Sequence, residues 1–274
     1  MDTADDWRTR FRPDIPSPAR IYDYLLGGKD NYPADRQAAE ELLLAIPDLR
    51  MFAAENRAFM HRAVRYLVTE AGIRQFIDIG AGLPGQGNVH EIAQETDPAA
   101  RVVYVDNDPV VLAHGRNMLQ GVPNTAIIEH DLRQPGALLA DGDLGKLIDF
   151  TEPVAVLMVA VLHFIDDTDN PAGLIAELTG ALAPGSHLAL SHATADSRPE
   201  SAKGEKVYER ATAQAHARNR EQVRNLVGGL DLVMPGLVWA PQWRPEPGAS
   251  RDQSASRSHV YAVVARKPLI RPAG

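Results

Sequence analysis

Between residues 76 and 191 short apolar runs alternate with stretches of helical period, and this alternation limits the fold more than any other feature. The runs are Phe76-Ile77-Asp78-Ile79, Val102-Val103-Tyr104-Val105, residues 125–129, residues 154–161 and residues 187–191. Helices are read at 89–96, 109–119 and 171–182 from their apolar spacing. A strand that reaches the next strand through a helix lies parallel to it, with a right-handed crossover. Near-continuous apolar runs further require that both sheet faces be covered. The expected architecture is therefore an α/β, Rossmann-like sheet, mostly parallel. Two later runs, 232–239 (interrupted by Pro235-Gly236) and 259–265, would add a C-terminal strand pair.

Ahead of the alternation the pattern is different. Residues 2–18 are polar, carry Pro13, Pro16 and Pro18, and read as an extended arm. Helices are expected at 19–26, at 34–46 and from Asp48 to about 70, where Gly72 stops the last one. The chain thus divides into an arm and helical cap, 1–71, and a core, 72–268. Within the core, 199–229 reads as a helical insertion. Residues 244–258, rich in Pro, Gly, Ser and charge, read as a mobile loop.

Composition narrows the chemistry. The chain has 274 residues and no cysteine, which removes disulfides, thiolate metal sites and a Cys nucleophile. Its 28 Lys+Arg against 36 Asp+Glu give a net charge of −8, which argues against bulk capture of nucleic acid or an anionic membrane. A local cluster, Arg57, Arg62 and Arg65, is the exception to be checked. Residues 1–13 lack the apolar stretch of a signal peptide. The longest apolar run, 154–162, is far short of the ~20 residues that span a bilayer. A cytoplasmic protein without a membrane segment is the expectation.

Gly80-Ala81-Gly82-Leu83-Pro84-Gly85 follows the first strand and matches G-x-G-x-x-G, a loop that lets a nucleotide approach the backbone at a helix N-terminus. Three acids sharpen this weak signal. Asp78 sits two residues before the loop, and Asp106 ends the second strand 21 residues after Gly85, where a carboxylate can take ribose hydroxyls. Asp131, with Leu132 beside it, follows the third strand, near where an adenine amino group would lie. All three belong on the carboxyl edge of the sheet, the ligand edge of such folds. A pyrophosphate would be repelled there, whereas S-adenosylmethionine has no phosphate and carries a sulfonium. A nicotinamide-dependent oxidoreductase is the first alternative. A non-catalytic, cofactor-binding regulator is the second. For each acid alone, a helix cap or a solvated loop charge is the plainer reading.

These motifs resemble class I S-adenosylmethionine-dependent methyltransferases: residues 76–82, then Tyr104-Val105-Asp106, then His130-Asp131-Leu132. A longer stretch, Pro18-Ala19-Arg20-Ile21-Tyr22-Asp23-Tyr24-Leu25-Leu26-Gly27-Gly28-Lys29-Asp30-Asn31, is similar to the opening signature of an actinobacterial family of such methyltransferases. That family was formerly catalogued as a domain of unknown function. Residues 73–80, 102–109 and Leu190-Ser191-His192-Ala193 extend the likeness over nearly the whole chain. The glycine-richer Gly85-Gln86-Gly87-Asn88 departs from the family pattern. The resemblance implies S-adenosyl-L-methionine as cofactor and methyl transfer to a small-molecule acceptor as the reaction, and it names no acceptor. It implies an antiparallel terminal strand pair. It also implies cofactor contacts at Asp78, Gly80, Ala81, Gly82, Asp106, Asn107, Asp131, Leu132 and Ala160.

In that fold the segment after the fourth strand faces the methyl group, which makes His163 the candidate general base. The alternative is a ring that only packs beside the methionine moiety. Asp166 and Asp167 are read as helix caps as readily as site residues, and no metal site is indicated. His192, after the fifth strand, and Tyr24 are candidate substrate contacts. Arg20, Tyr22 and Asn31 would fold over the methionine end of the cofactor, with Arg20 pairing its carboxylate bidentately. The tyrosines could instead pack against the core. Oligomeric state is not legible.

Overall fold

A computed structural model describes residues 11–197, 204–246 and 253–269. The first ten residues of the expected arm lie outside the described residues. So do 198–203 of the insertion, 247–252 of the expected loop and the last five residues of the tail.

The parallel strands are β1 (Gln75–Ile79), β2 (Arg101–Asp106), β3 (Thr125–Glu129), β4 (Ala155–Val159) and β5 (His187–Ala193). They are ordered β3-β2-β1-β4-β5, so chain order reverses between β1 and β4 and opens a crevice at their carboxyl ends. β8 (Val260–Arg266) runs antiparallel to β5. Its other edge pairs with β6 (Asp231–Leu232) and β7 (Val238–Trp239). These two short strands are the single run expected at 232–239, divided where Pro235 has no N–H to give the ladder. The mostly parallel sheet with an antiparallel C-terminal edge is as expected.

Alternate residues of each strand enter opposite cores. Phe76, Val102, Tyr104, Leu157, Val260 and Val264 face one cluster, and Ile77, Ile79, Val103, Val105, Met158 and Val263 face the other. Helix α4 (Val89–Thr96), after the glycine loop, adds Val89, Ile92 and Ala93 to the first cluster, and helix α5 (Pro109–Met118), after β2, sets Val110 and Val111 against Leu83 in a small separate cluster. Two short helices, α6 (Pro135–Leu139) and α7 (Gly142–Leu147), and helix α8 (Pro171–Ala181) cover the second face. The sequence pattern did not mark α6 and α7, which are too short for a helical period to stand out.

The first cluster is roofed by three N-terminal helices, α1 (Pro18–Leu25), α2 (Pro33–Ala45) and α3 (Leu49–Thr69). Helix α3 buries Phe52, Ala53, Asn56, Phe59, Met60, Ala63, Val64 and Leu67 along one stripe at 3–4-residue spacing. Because that stripe belongs to the same cluster as β1, β2 and β4, α3 shares its core with the sheet. An ion pair ties α1 to α2. The fully buried Asp35 accepts hydrogen bonds from the backbone N–H of Ser17 and of Tyr32 and, at 2.9 Å, from Arg20 Nε. Arg20 Nη2 donates to the carbonyls of Ile15 (2.5 Å) and Arg12 (3.2 Å).

Two expectations change here. The insertion is not one helix. Short helices α9 (Glu205–Tyr208) and α10 (Arg220–Leu226) flank a non-helical stretch, 209–219, whose backbone is bonded outward. Thr212 N–H donates to Pro16 O, His216 N–H to His163 O and Arg218 N–H to Ala193 O. These tertiary bonds override the helix propensity of an alanine-rich segment. The loop expected at 244–258 is ordered in its last part. Gln253–Ser258 form a 3₁₀ turn with Ala255 and Ser258 buried, and Arg257 pairs with Asp48 at 2.6 Å.

Removing one member of a buried ion pair strands the other charge, which costs about 3–5 kcal/mol. Asp35→Ala is expected to lower the stability measured by urea unfolding by that amount. A simultaneous Arg20→Met should recover most of the loss. Equal destabilisation by the single and double changes contradicts this view of the clamp.

Candidate functional site

The carboxyl edge of β1, β2 and β4, roofed by α1, α3 and residues 208–216, encloses a cleft of ≈ 1340 Å³. Its floor is the glycine loop. Gly80 (φ +71°) and Gly82 (φ +66°) take a left-handed backbone that side chains resist, and a β-carbon on Gly80 would overlap Val161. The loop is fastened to the end of β2. Gly80 and Ala81 donate to Val105 O at 2.8 and 3.2 Å, and Gly82 N–H donates to Asp106 Oδ2 at 2.9 Å. The other Asp106 oxygen accepts from Asp108 N–H at 2.9 Å. Asp108 caps α5 through Val110 N–H and accepts from Ser17 Oγ at 2.6 Å, so cap and core meet at this point.

Asp78 and Asp106 both line the cleft and are buried. Asp78 has no hydrogen-bond partner among the described residues. Burial pushes its carboxyl up to about 7, with Arg57 opposing the rise and Asp106 adding to it. Burial also lifts Asp106 to about 6, although the backbone N–H groups of Asp108 and Gly82 pull the other way. Two such carboxyls in one crevice call for a cation.

The third glycine of the motif, Gly85, does not open a helix. Asn88 sits between it and α4, accepting from Gly85 N–H at 3.1 Å and donating to Gly85 O at 2.7 Å. Its own N–H donates to Glu91 in a capping box. The N-terminus of α4 is therefore closed by the protein's own side chains and leaves no seat for a pyrophosphate. That removes the support for the nicotinamide alternative.

Of the residues singled out in the sequence, the structure brings Asp78, Gly80, Ala81, Gly82, Asp106, Asn107, Asp131, Leu132, Ala160, Arg20, Tyr22 and His163 to the cleft wall. Asp131 is the outermost of the three motif acids. Arg133, two residues on, grips it at 2.5–3.1 Å and holds its carboxyl below the ordinary range. Ala160 ends β4 in a left-handed conformation (φ +56°), its N–H donating to Ser191 Oγ at 2.9 Å. Ser191 Oγ in turn donates to Asn56 at 2.5 Å, and Asn56 donates to the Tyr22 hydroxyl at 2.9 Å. Tyr22 closes the chain by donating to Ala53 O. His163 lies in the first of two 3₁₀ turns after β4, buried among Phe52, Phe164 and His192.

Four expectations are corrected. Arg20 reaches the wall but has spent Nε and both hydrogens of Nη2 on Asp35 and two carbonyls, so it has no two-nitrogen fork to offer a carboxylate. Tyr24 turns outward, donating to Glu40 at 2.5 Å under the Arg50 guanidinium. Asn31 is consumed inside the cap by Asp23, Gly28 O and Arg36. His192 is completely buried behind His163. Its Nδ1 donates to Ala193 O and its Nε2 accepts from Arg218, each at 2.8 Å. Fold-level placement put these four at the ligand edge, and specific partners elsewhere hold them.

Arg57, named in the sequence only as part of an arginine cluster, is the cleft residue that sequence reasoning missed. It stands on α3 over the glycine loop, lines the cleft, donates to Gln86 O at 3.1 Å and to Asn88 at 3.3 Å, and opposes the rise of Asp78. Its neighbours in sequence part from it. Arg62 binds the carbonyls of Ala240 and Trp243, and Arg65 pairs with Glu246. The three arginines form no common basic face. Arg57 sits one residue after Asn56 and three before Met60 in the buried stripe, and that border position is the sequence signal that could have set it apart from the cluster. Among the described residues no group of three or more His, Asp or Glu could hold a metal ion, and no helix is long and apolar enough to cross a membrane.

Comparison with known proteins agrees with this geometry. A family model for S-adenosyl methyltransferases matches residues 5–268. A DUF574-family protein from Streptomyces avermitilis is similar at 39% identity and a TM-score of 0.89, over 94% of this chain and 100% of that one. A provisionally assigned methyltransferase from Thermobifida fusca is similar at 39% identity and 0.89, over 97% and 100%. An O-methyltransferase family protein from Burkholderia thailandensis, at 15% identity and 0.50 over 81% and 61%, shares the fold alone. No protein of curated function matches.

The raised carboxyls affect stability with a definite sign. A carboxyl whose folded value exceeds its unfolded one contributes stability that is complete below the unfolded value of about 4 and is lost as pH rises through the folded value. For Asp78 that loss accumulates from about 4 upward and is complete just above about 7. Asp78→Asn is expected to raise the Tm of the ligand-free protein near neutral pH and to flatten this part of its pH dependence in a thermal melt. A lower Tm contradicts the assignment.

Proposed function

The chain belongs to the S-adenosyl methyltransferase family, and from that premise we propose that it methylates a small-molecule acceptor held beneath its N-terminal helices. The observation that carries this reading is the Asp78 carboxyl, buried at the crevice, unpaired among the described residues and beside the equally buried Asp106. S-adenosylmethionine fits this donor set: it brings positive charge to two acids, has no phosphate to seat, and supplies a methyl group on a sulfonium. We assign its ribose to Asp106, its amino group to the side of Asp78, and its adenine to Asn107, Asp131 and Leu132. Gly80, Ala81, Gly82 and Ala160 would form the floor. Arg57, with Nε and Nη1 unengaged among the described residues, is the cation we assign to its carboxylate in place of Arg20, whose Nε is taken by Asp35.

The protein's part in the reaction is to place two reactants and exclude water. Fixed alignment can supply several kcal/mol, up to ~7–11, without a charged catalyst. The roof does this with Phe52, Met60, Leu25 and Leu49 from the cap and Phe164 from the β4 turn, all of which line the cleft. Tyr22 and Asn56 fix the height of that roof over Ala160 through the hydrogen-bond chain to Ser191. A cleft roofed in this way by the cap helices suits a small molecule better than a polymer. The cytoplasm, where this cofactor is made, is the compartment the reading implies.

A cation binds the ionised carboxyls, so the affinity for S-adenosylmethionine is expected to rise as pH increases through about 6–7 and to level off above it. Isothermal titration calorimetry across this range checks the sign, and an affinity that falls with pH contradicts it. Asp106→Ala and Arg57→Met should each weaken binding at least tenfold, about 1.4 kcal/mol or more.

A further inference from the structure

Two polar atoms at the acceptor end of the cleft have no partner among the described residues. One is His163 Nε2. The ring Nδ1 lies 3.5 Å from the backbone N–H of Ala193, which can only donate, so Nδ1 holds the lone pair and the neutral ring carries its hydrogen on Nε2. Nε2 is absent from the buried, unpartnered side-chain atoms, so it is open, and the residue lines the cleft. The ring is neutral for a physical reason. Burial drives its pKa well below the ordinary value, and His192, Arg218 and His216 push the same way. The acids on that side are engaged, Asp167 with Arg218 at 2.6 Å and Asp166 with His216 at 3.5 Å. Phe52, packed against the ring from α3, adds no charge.

The second atom is the hydroxyl of Tyr208, which also lines the cleft and for which no hydrogen bond is formed among the described residues. Burial raises its phenol, so it stays protonated and can donate. Both groups flank one ring. His163 lies 4.3 Å and Tyr208 5.4 Å from Phe164, centroid to centroid. The acceptor end thus sets two hydrogen-bond donors around one aromatic ring, and its histidine presents a hydrogen, not a lone pair, to the cleft.

We propose that the methyl acceptor is an oxygen anion, a carboxylate or a phenolate on a flat apolar scaffold, received by His163 Nε2–H and the Tyr208 hydroxyl. This rests on the methyl-transfer reading and replaces a general base with a donor pair. The acceptor oxygen forms its bond to the methyl carbon, the carbon–sulfur pair leaves with sulfur, and the negative and positive charges cancel. No proton needs to be removed.

The test uses the full chain, ¹⁵N-labelled and saturated with S-adenosylhomocysteine. Long-range ¹H–¹⁵N correlations should show His163 as the neutral Nε2–H tautomer throughout about pH 6–8. Its signals should shift with benzoate or 4-nitrophenolate and not with benzylamine, and the anion that binds more tightly identifies the source of the oxygen. Tyr208→Phe should weaken anion binding roughly tenfold, and His163→Gln, which keeps an N–H at similar reach, should hold it within about threefold. An Nδ1–H tautomer, a titration of His163 within that window, failure of both anions to bind, or equal binding of benzylamine overturns the proposal. Failure of S-adenosylhomocysteine to bind overturns instead the methyl-transfer reading beneath it.

Discussion

Two carboxyl groups held out of water at the ends of adjacent parallel strands organise everything around them. Asp78 and Asp106 are buried within one crevice, with folded values near 7 and 6. Keeping them ionised there without a counter-charge is unfavourable, and the protein supplies only partial relief: two backbone N–H groups for Asp106 and the nearby Arg57 for Asp78. The ligand-free site is therefore polarised toward a cation. The glycine loop, bonded to Val105 and Asp106, holds the backbone low enough for a ligand to reach both acids.

The N-terminal helices belong to this site as much as the sheet does. Their buried residues continue the sheet's own core, and Ser17 bonds Asp108 at the end of β2. The chain from Tyr22 through Asn56 and Ser191 to Ala160 links roof to floor in four residues. The Arg20–Asp35 clamp keeps α1 in place for that link. Its bonds through Nε and Nη2 are also why Arg20 has no two-nitrogen fork left for a ligand.

Sequence alone showed the sheet, because the parallel strands are short, mostly apolar runs and most of the crossovers between them carry a helical period. It also showed Asp78 and Asp106, because an acid at a strand's carboxyl end is placed by topology with no knowledge of side-chain partners. What it could not show depends on partners far along the chain. Arg20 meets Asp35, Arg218 meets His192 and Asp167, and Arg57 reaches the loop at Gln86. The misplacement of Tyr24, Asn31 and His192 has the same origin. Each has a polar partner that no periodicity encodes. The non-helical strap at 209–219 is likewise fixed by backbone bonds to Pro16, His163 and Ala193 that outweigh local propensity.

The most direct test of the central claim is a crystal structure of the protein with S-adenosylmethionine bound. The account predicts the ribose hydroxyls on Asp106, the carboxylate on Arg57, and the methyl group directed at the side of the cleft lined by His163, Phe164 and Tyr208. A cofactor whose carboxylate lies on Arg20, or whose ribose lies away from Asp106, would contradict it.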